Sequence, residues 1–382
     1  LGVRSSVFLP FHNLKFIVVD EEHDPSYKQF DPAPRYHARD TAIFLAKLHG
    51  AKVLLGSATP SIESYFNAET GKYGLVNLHT RYGDISLPHI KVVDVSRSAK
   101  MAHFKSHFTE DLLADTKRVL EQKEQVILFR NRRGYSPMLM CGTCGHIPQC
   151  DNCDVSLTYH KGLRELKCHY CGSRRNLAVS CPACGAHHMQ VVGFGTEKIE
   201  DELSIIMPDV KIARMDYDAV RSKYGHEKVI ADFENRKIDV LVGTQMVTKG
   251  LDFEHVALVG ILNSDQLLNY PDFRAHERAF QLMVQVSGRA GRKHRQGEVL
   301  IQARDIHHPV LRMVVTQDYS HFYFTEVHQR RAFKYPPYVR LINLHLRHKK
   351  REMVQEAAKA AFNHLHKKWG SRILPPAPPG VA

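Results

Sequence analysis

Short apolar runs, each bounded by polar or glycine-containing stretches, recur along the chain, and between them apolar residues return at helical spacing. Phe16-Ile17-Val18-Val19 ends in acidic residues, and Val53-Leu54-Leu55 is broken by the segment Gly56 to Pro60. Uninterrupted β-branched runs of this length suit strands covered on both faces in a parallel sheet. Between the two, residues 37–48 put Ala42, Leu45 and Ala46 on one face, which predicts a helix crossing from strand to strand. A second unit of this kind starts near residue 90. Thr109 stands where an N-cap belongs, ahead of a helix carrying Leu112, Leu113, Val119 and Leu120, and residues 125–129 follow as a strand. The pattern then gives way for about 45 residues to Cys, Gly and His, and resumes at Val191. Ile199, Leu203 and Ile206 share a helical face in Thr196–Ile206, with Pro208 just beyond; residues 239–242 and Val256–Leu262 are further strands. From about residue 313 aromatic and basic residues dominate, with Tyr335-Pro336-Pro337-Tyr338, a helix over Arg351–Trp369 and a Pro-rich end.

Alternating strands and helices predict an α/β fold with parallel sheets. The segments read as a first α/β lobe over 1–90, the start of a second over 91–139 and an insertion over 140–188. The rest of the second lobe follows over 189–312, and an α+β C-terminal region over 313–382. No internal repeat is visible beyond the Cys pairs. The chain opens at Leu1, with no initiator Met, in what reads as mid-domain, so it is expected to be part of a longer protein.

Composition changes this picture little: 43% hydrophobic and 24% charged residues are ordinary for a globular protein. Charge adds more. The 53 Lys and Arg against 40 Asp and Glu leave +13, which suits a polyanionic partner that releases counterions on binding. No stretch approaches the ~20 apolar residues of a membrane span, and no signal peptide opens the chain, so no membrane partner is expected. All eight Cys fall between Cys141 and Cys184 in regular pairs, as metal sites need, which points to a reducing, cytoplasmic location.

Four segments carry candidate chemistry. The first is Asp20-Glu21-Glu22-His23 at the carboxyl end of an apolar strand, where open α/β sheets bind ligands. In nucleotide-hydrolysing motors the first such acid holds magnesium and the next polarises the attacking water, although an acidic turn would look alike in isolation. The second is Gly56-Ser57-Ala58-Thr59-Pro60, whose small hydroxyls could sense a nucleotide beside that strand; alone it reads as a turn. The third, from Gly243 and Thr244-Gln245 through Lys249-Gly250 to Asp252, leaves a strand in a polar loop that could set Thr and Lys on phosphates. The fourth is Gln285 to Arg292, with Arg289 and Arg292 three apart on one expected helical face, as forks facing a γ-phosphate would be.

In this order the four resemble motifs II, III, V and VI of superfamily 2 helicases. The resemblance implies two RecA-like lobes with ATP and magnesium between them and a nucleic acid strand across both. It implies catalytic roles for Asp20, Glu21, Arg289 and Arg292. Nucleotide-binding or coupling roles fall to Glu22, His23, Ser57, Thr59, Gly250, Asp252 and Gln285, and DNA contacts to Thr244, Gln245 and Lys249.

The cysteines form four Cys-x-x-Cys pairs, at 141/144, 150/153, 168/171 and 181/184, and three are followed by Gly. Two closed four-cysteine zinc sites use every thiolate and leave no position open for water, so the metals are structural. The expected pairing is nested: Cys141, Cys144, Cys181 and Cys184 on one ion, Cys150, Cys153, Cys168 and Cys171 on the other. The inner pairs then close a hairpin over 154–167 and the outer pairs clamp its base.

Such a module inside the second lobe, together with Asp-Glu-Glu-His-Asp-Pro-Ser-Tyr-Lys-Gln at 20–29, resembles the PriA family of bacterial primosomal helicases. Arg35-Tyr36-His37-Ala38-Arg39-Asp40, Asn131-Arg132-Arg133-Gly134-Tyr135, Gly195-Thr196-Glu197, Arg214-Met215-Asp216, Asp272-Phe273-Arg274, His308-Pro309 and Tyr335-Pro336-Pro337 fit that family too. The resemblance spans essentially the whole chain and implies the same nested pairing. It implies ATP-driven 3′ to 5′ unwinding, recognition of stalled forks and single-stranded DNA, and contact with primosome proteins and single-stranded DNA-binding protein. It also makes 27–39 an aromatic-rich loop linking DNA to ATP hydrolysis, and the residues agree. Tyr27, Phe30 and Tyr36 offer stacking faces, and Lys28, Arg35 and Arg39 offer phosphate contacts.

One departure stands out: Gly-x-x-x-x-Gly-Lys-Ser/Thr, the loop that cradles phosphates, occurs nowhere in the 382 residues. The chain alone is therefore expected to hydrolyse no ATP. Two other readings are another zinc-containing superfamily 2 translocase and a zinc-ribbon scaffold on a dead motor. Intact Asp20, Glu21, Arg289 and Arg292 speak against the second.

Overall fold

The computed structural model describes residues 1–78, 80, 86–95, 107–130, 138–153, 155–160, 165–168, 170–176, 180–187, 189–192, 196–215, 223–244, 247, 253–291 and 296–377. The chain divides into two compact units, Leu1–Asn77 and Leu78–Ala382.

In the first unit, β1 (Phe16–Val19) pairs in parallel with β2 (Lys52–Leu55), in register from Phe16 opposite Lys52 to Val19 opposite Leu55. The crossover is α1 (Ala38–His49), which buries Ala38, Ala42 and Ala46 and ends at Gly50 in the left-handed region. A second helix, α2 (Ile62–Glu69), is capped by the Ser61 hydroxyl, which accepts the Ser64 N–H. The strands were expected to be covered on both faces, but Phe16, Val18 and Leu54 are exposed at 55%, 57% and 51%. Their outward alternation leaves α1 to cover only one side.

The second unit is built on six parallel strands in the order β10-β11-β4-β12-β13-β3. They are β3 (His89–Asp94), β4 (Gln125–Arg130), β10 (Ile212–Met215), β11 (Val240–Gly243), β12 (Val256–Leu262) and β13 (Glu298–Ala303). Every residue of β4 and β11 is buried, which explains their unbroken apolar runs. Thr109 caps α3 (Glu110–Glu121) by accepting the Leu112 N–H, and Leu112 and Val119 enter a core with Val126, Leu128, Leu258 and Leu300. Ile199 and Leu203 join it from α4 (Thr196–Ile206), while α5 (Lys223–Glu234) follows β10. Gly260 permits this packing, because a Cβ there would stand 2.7 Å from Leu128 and 2.9 Å from Leu112. This parallel sheet flanked by helices is the RecA-like fold expected of the second lobe.

The cysteine-rich insertion is a separate antiparallel sheet in the order β8-β7-β6-β5-β9. Its strands are β5 (Met138–Cys141), β6 (Thr158–His160), β7 (Glu165–Lys167), β8 (Arg174–Asn176) and β9 (Met189–Val192). Beyond β12 come α6 (Ser264–Leu268) and α7 (Ala275–Ser287), and after β13 come α8 (Pro309–Thr316), α9 (Tyr319–Ala332) and α10 (Arg351–Trp369). Phe280 of α7 stacks on Phe322 of α9 at 4.3 Å, whereas α10 buries no residue.

Candidate functional site

The cysteines converge in two sets, and the sets are nested: Cys141, Cys144, Cys181 and Cys184, then Cys150, Cys153, Cys168 and Cys171. Local chemistry shapes each turn. The N–H of Cys141, Cys150, Cys168 and Cys181 donates to the carbonyl five residues on, from 2.8 to 2.9 Å. Gly145, Gly172 and Gly185 close their turns at φ of 78°, 74° and 74°, a conformation a Cβ would strain. The Thr143 and Tyr170 N–H groups point at the Cys141 and Cys168 sulfurs, 3.4 Å each, which favours thiolate there. The pKa of Cys168 is lowered, chiefly by its hydrogen bond with Cys153 and against its burial.

Sulfur separations test the fit. Cys141–Cys184, Cys144–Cys181 and Cys150–Cys171 lie 3.7, 3.6 and 3.6 Å apart, too long for disulfides. A zinc tetrahedron with bonds of about 2.3 Å needs sulfurs about 3.8 Å apart, so both sets fit zinc. Elemental analysis of freshly purified, reduced protein should return two zinc ions per chain; one or none would contradict the assignment.

The inner set is fastened to the lobe beneath it. Tyr170, between two of its ligands, donates its hydroxyl to Asp272 Oδ1 at 3.3 Å and accepts the Phe273 N–H at 3.4 Å. Tyr335 donates to the Cys153 carbonyl at 2.7 Å, and its ring stacks on Phe273 at 4.6 Å. Arg330, 2% exposed, pairs with Glu277 on α7 at 2.7 Å and lies over Phe273. A cavity of about 30 Å³ lies among these segments. Asp272-Phe273-Arg274 and Tyr335-Pro336-Pro337 were visible as motifs, but their joint role was not. Tyr170 inside a Cys pair and the aromatic residues Phe273 and Tyr335 in the two motifs were the available signal.

The acidic strand end lies in the first unit. Asp20 is exposed, and its Oδ1 accepts the Glu21 N–H at 3.0 Å. Glu21 is half-exposed and takes up φ of 47°, rare for a residue with a Cβ. His23 Nδ1 lies 2.7 Å from Ser57 Oγ, which also accepts the Thr59 N–H, so the first two segments join through hydroxyl and imidazole. Glu22 is different: it is buried and accepts from Arg39, Ser61 and Ser64. Arg39, expected to reach a phosphate, is turned inward, and only 13% of its side chain is exposed. Beside the acids, an open recess of about 600 Å³ is lined by Asp20, Glu21, Asp24, Tyr27 and residues 2–5. Tyr27 donates to the Asp20 carbonyl at 2.6 Å, and its pKa is raised by burial and by Asp20. Lys28 and His37 pair through their backbones in an isolated antiparallel bridge, Tyr36 packs edge-on to Phe8, and Arg35 and Phe30 are exposed.

In the second unit Thr244 is buried just after β11, and its carbonyl accepts the Val247 N–H. Gln285 is half-buried on α7. That helix stops at Ser287 with Gly288 as cap, so Arg289 sits in a turn and not on the helical face predicted for it. The chain turns here because Gly291 adopts φ of 68° and donates to the Val256 carbonyl, and Gly297 leaves room for the Ala290 backbone. Gln245, Lys249, Gly250, Asp252 and Arg292 lie outside the described residues. Among the described residues no helix is long and apolar enough to cross a membrane.

Residues 150–175 match the PriA DNA helicase Cys-rich region domain, and residues 187–294 the helicase conserved C-terminal domain. The chain is 43% identical to the replication restart protein PriA of Bacillus subtilis over 94% of its own length and 44% of that protein's. Against the Chlamydia pneumoniae protein of that name identity is also 43%, over 100% of this chain and 51% of the relative. The chain thus spans about half the length of these curated relatives. A solved structure of RecG bound to a three-way DNA junction aligns loosely, at 13% identity and TM-score 0.44 over 84% of this chain and 30% of that one. Identity of this extent, with both four-cysteine clusters and the helicase domain in place, makes the chain a member of the PriA family of replication restart proteins.

Proposed function

We propose that the chain is the motor portion of an ATP-dependent DNA helicase that moves 3′ to 5′, recognises stalled or collapsed forks and starts primosome assembly. The observation that supports this most is the 43% identity to replication restart proteins across 94% of the chain. In this reading magnesium held near Asp20 neutralises charge on ATP phosphates. Glu21, half-exposed beside it, takes the proton of the attacking water. Arg289 and Arg292 supply guanidinium forks, and Gln285, Gly250 and Asp252 border the nucleotide. The contact between His23 and Ser57 ties the acids to the Ser57–Thr59 turn, which would register nucleotide state.

Exposed Phe30 and Arg35, with Tyr27, Lys28 and Tyr36, would meet single-stranded DNA by stacking and charge, and Thr244, Gln245 and Lys249 would hold phosphates. Partners are forked DNA, primosome proteins and single-stranded DNA-binding protein, in the cytoplasm.

The isolated chain, at +13, should bind single-stranded DNA without sequence preference, its affinity falling steeply as salt rises. It should release essentially no phosphate from ATP, because nothing in the sequence provides a phosphate-cradling loop. Robust DNA-stimulated release that Glu21→Gln abolishes would contradict the second expectation, and salt-independent binding the first. A full-length protein containing this chain should prefer forks over plain duplex or RNA; equal affinity for all three would favour another zinc-containing translocase.

A further inference from the structure

Glu22 is the odd member of the acidic run. Its carboxylate, in a residue 2% exposed, accepts from four donors. The Ser61 N–H reaches Oε1 at 2.6 Å, while Arg39 Nη1, Ser64 Oγ and Ser61 Oγ reach Oε2 at 2.8, 2.8 and 3.1 Å. Arg39 spends its fork on the same cluster: Nη1 also donates to Ser61 Oγ at 2.8 Å, and Nε donates to Asp40 at 2.9 Å. Arg39 opens α1, and Ser61 caps α2, so one ion pair joins the ends of two helices to the end of β1. Buried and held by four donors, this carboxylate faces the fold and does not line the open recess beside Asp20.

The residue it anchors is Glu21. At φ of 47° Glu21 occupies the left-handed region, which a side chain with a Cβ keeps only where its surroundings hold it. Its carbonyl accepts the Asp24 N–H at 2.8 Å, and the next residue's N–H donates to the Gly56 carbonyl at 3.1 Å. The backbone is thus pinned on both sides, and the Glu22 side chain is the deepest pin.

We propose that Arg39 and Glu22 form a positioning pair that holds Asp20 and Glu21 in working geometry, and that Arg39 is not a DNA contact. This rests on the reading of Asp20 and Glu21 as the catalytic acids. Loss of the guanidinium leaves a buried carboxylate short of its cation, and the strand end relaxes away from its constrained conformation.

The test is steady-state kinetics and DNA binding of the full-length protein. Arg39→Ala should lower DNA-stimulated kcat on the order of a hundredfold, as small displacements of catalytic groups do. Affinity for single-stranded DNA should stay within about twofold, since the exposed Phe30 and Arg35 are not touched. Arg39→Lys should recover about a tenth or more of the wild-type rate, because an ammonium can still pair with Glu22 though without the fork. Glu22→Gln, which keeps the shape but turns an amide N–H toward three donors, should show the same split and serves if Arg39→Ala does not fold. Unchanged kcat with weakened DNA binding would make Arg39 a DNA contact and overturn the proposal. Near wild-type rates in both Arg39→Ala and Glu22→Gln would overturn it too. A wild-type protein without DNA-stimulated hydrolysis would instead overturn the functional reading beneath it.

Discussion

Stripping zinc from the purified chain should unfold the whole Cys141–Cys184 segment and loosen the start of α7 with it. Among the described residues the apolar core of the insertion is small, with Leu139, Val155, Leu157 and Leu166 packed around Cys150, Cys153 and Cys168. Structural zinc contributes roughly 10–16 kcal/mol per site in small peptides, as much as the entire stability of a typical domain. The two sites should differ in reach. Cys144 and Cys184 of the outer set are exposed, while the inner set is buried apart from half-buried Cys171 and is tied to α7 through Tyr170 and Asp272 and to Tyr335 through Cys153. Cys168→Ser should therefore raise amide exchange in α7 and near Tyr335, whereas Cys144→Ser should confine its effect to the outer knuckles. Hydrogen exchange with chelator and with each variant checks this; a chelated chain with unchanged protection in 141–184 would contradict it.

Glu21→Gln in the full-length protein should retain ATP binding and lose turnover by about 10²–10⁴-fold, because an amide cannot take a proton from water. Geometry sharpens the expectation. Glu21 stands half-exposed, with His23 Nδ1 3.4 Å from its carboxylate, and an amide of the same shape keeps the packing there. Arg292→Ala should cost about 3 kcal/mol of transition-state stabilisation, roughly a hundredfold in rate. Phosphate release under saturating DNA and ATP measures both, and hydrolysis near the wild-type rate in either variant would break that role assignment.

Much of this molecule was legible in the sequence because its strongest signals are local. The run at 125–129 reads as a strand since no residue of β4 meets water, and Thr196–Ile206 reads as a helix since Ile199 and Leu203 face one core. The cysteine pairs announce their sites because zinc demands four thiolates at one point, and glycine after a pair is what a left-handed turn requires. Other features depend on residues far apart in sequence. Arg39 sits beside an aromatic loop in the sequence, and nothing local shows that its guanidinium meets Glu22 and Ser61. Arg289 looks helical until the chain turns at Gly291 to meet Val256. The buried Arg330–Glu277 pair, 53 residues apart, leaves no periodic trace at all.

The central claim, an ATP-driven DNA motor that works on forks, is tested most directly by strand displacement with the full-length protein on labelled forked DNA. Duplexes tailed only on the 3′ or the 5′ side serve as direction controls. The account predicts ATP-dependent displacement on forks and 3′-tailed substrates, little on 5′-tailed ones, and none with Glu21→Gln. Displacement that persists in Glu21→Gln, or its absence in a wild-type protein that binds forks and holds both zinc ions, would contradict it.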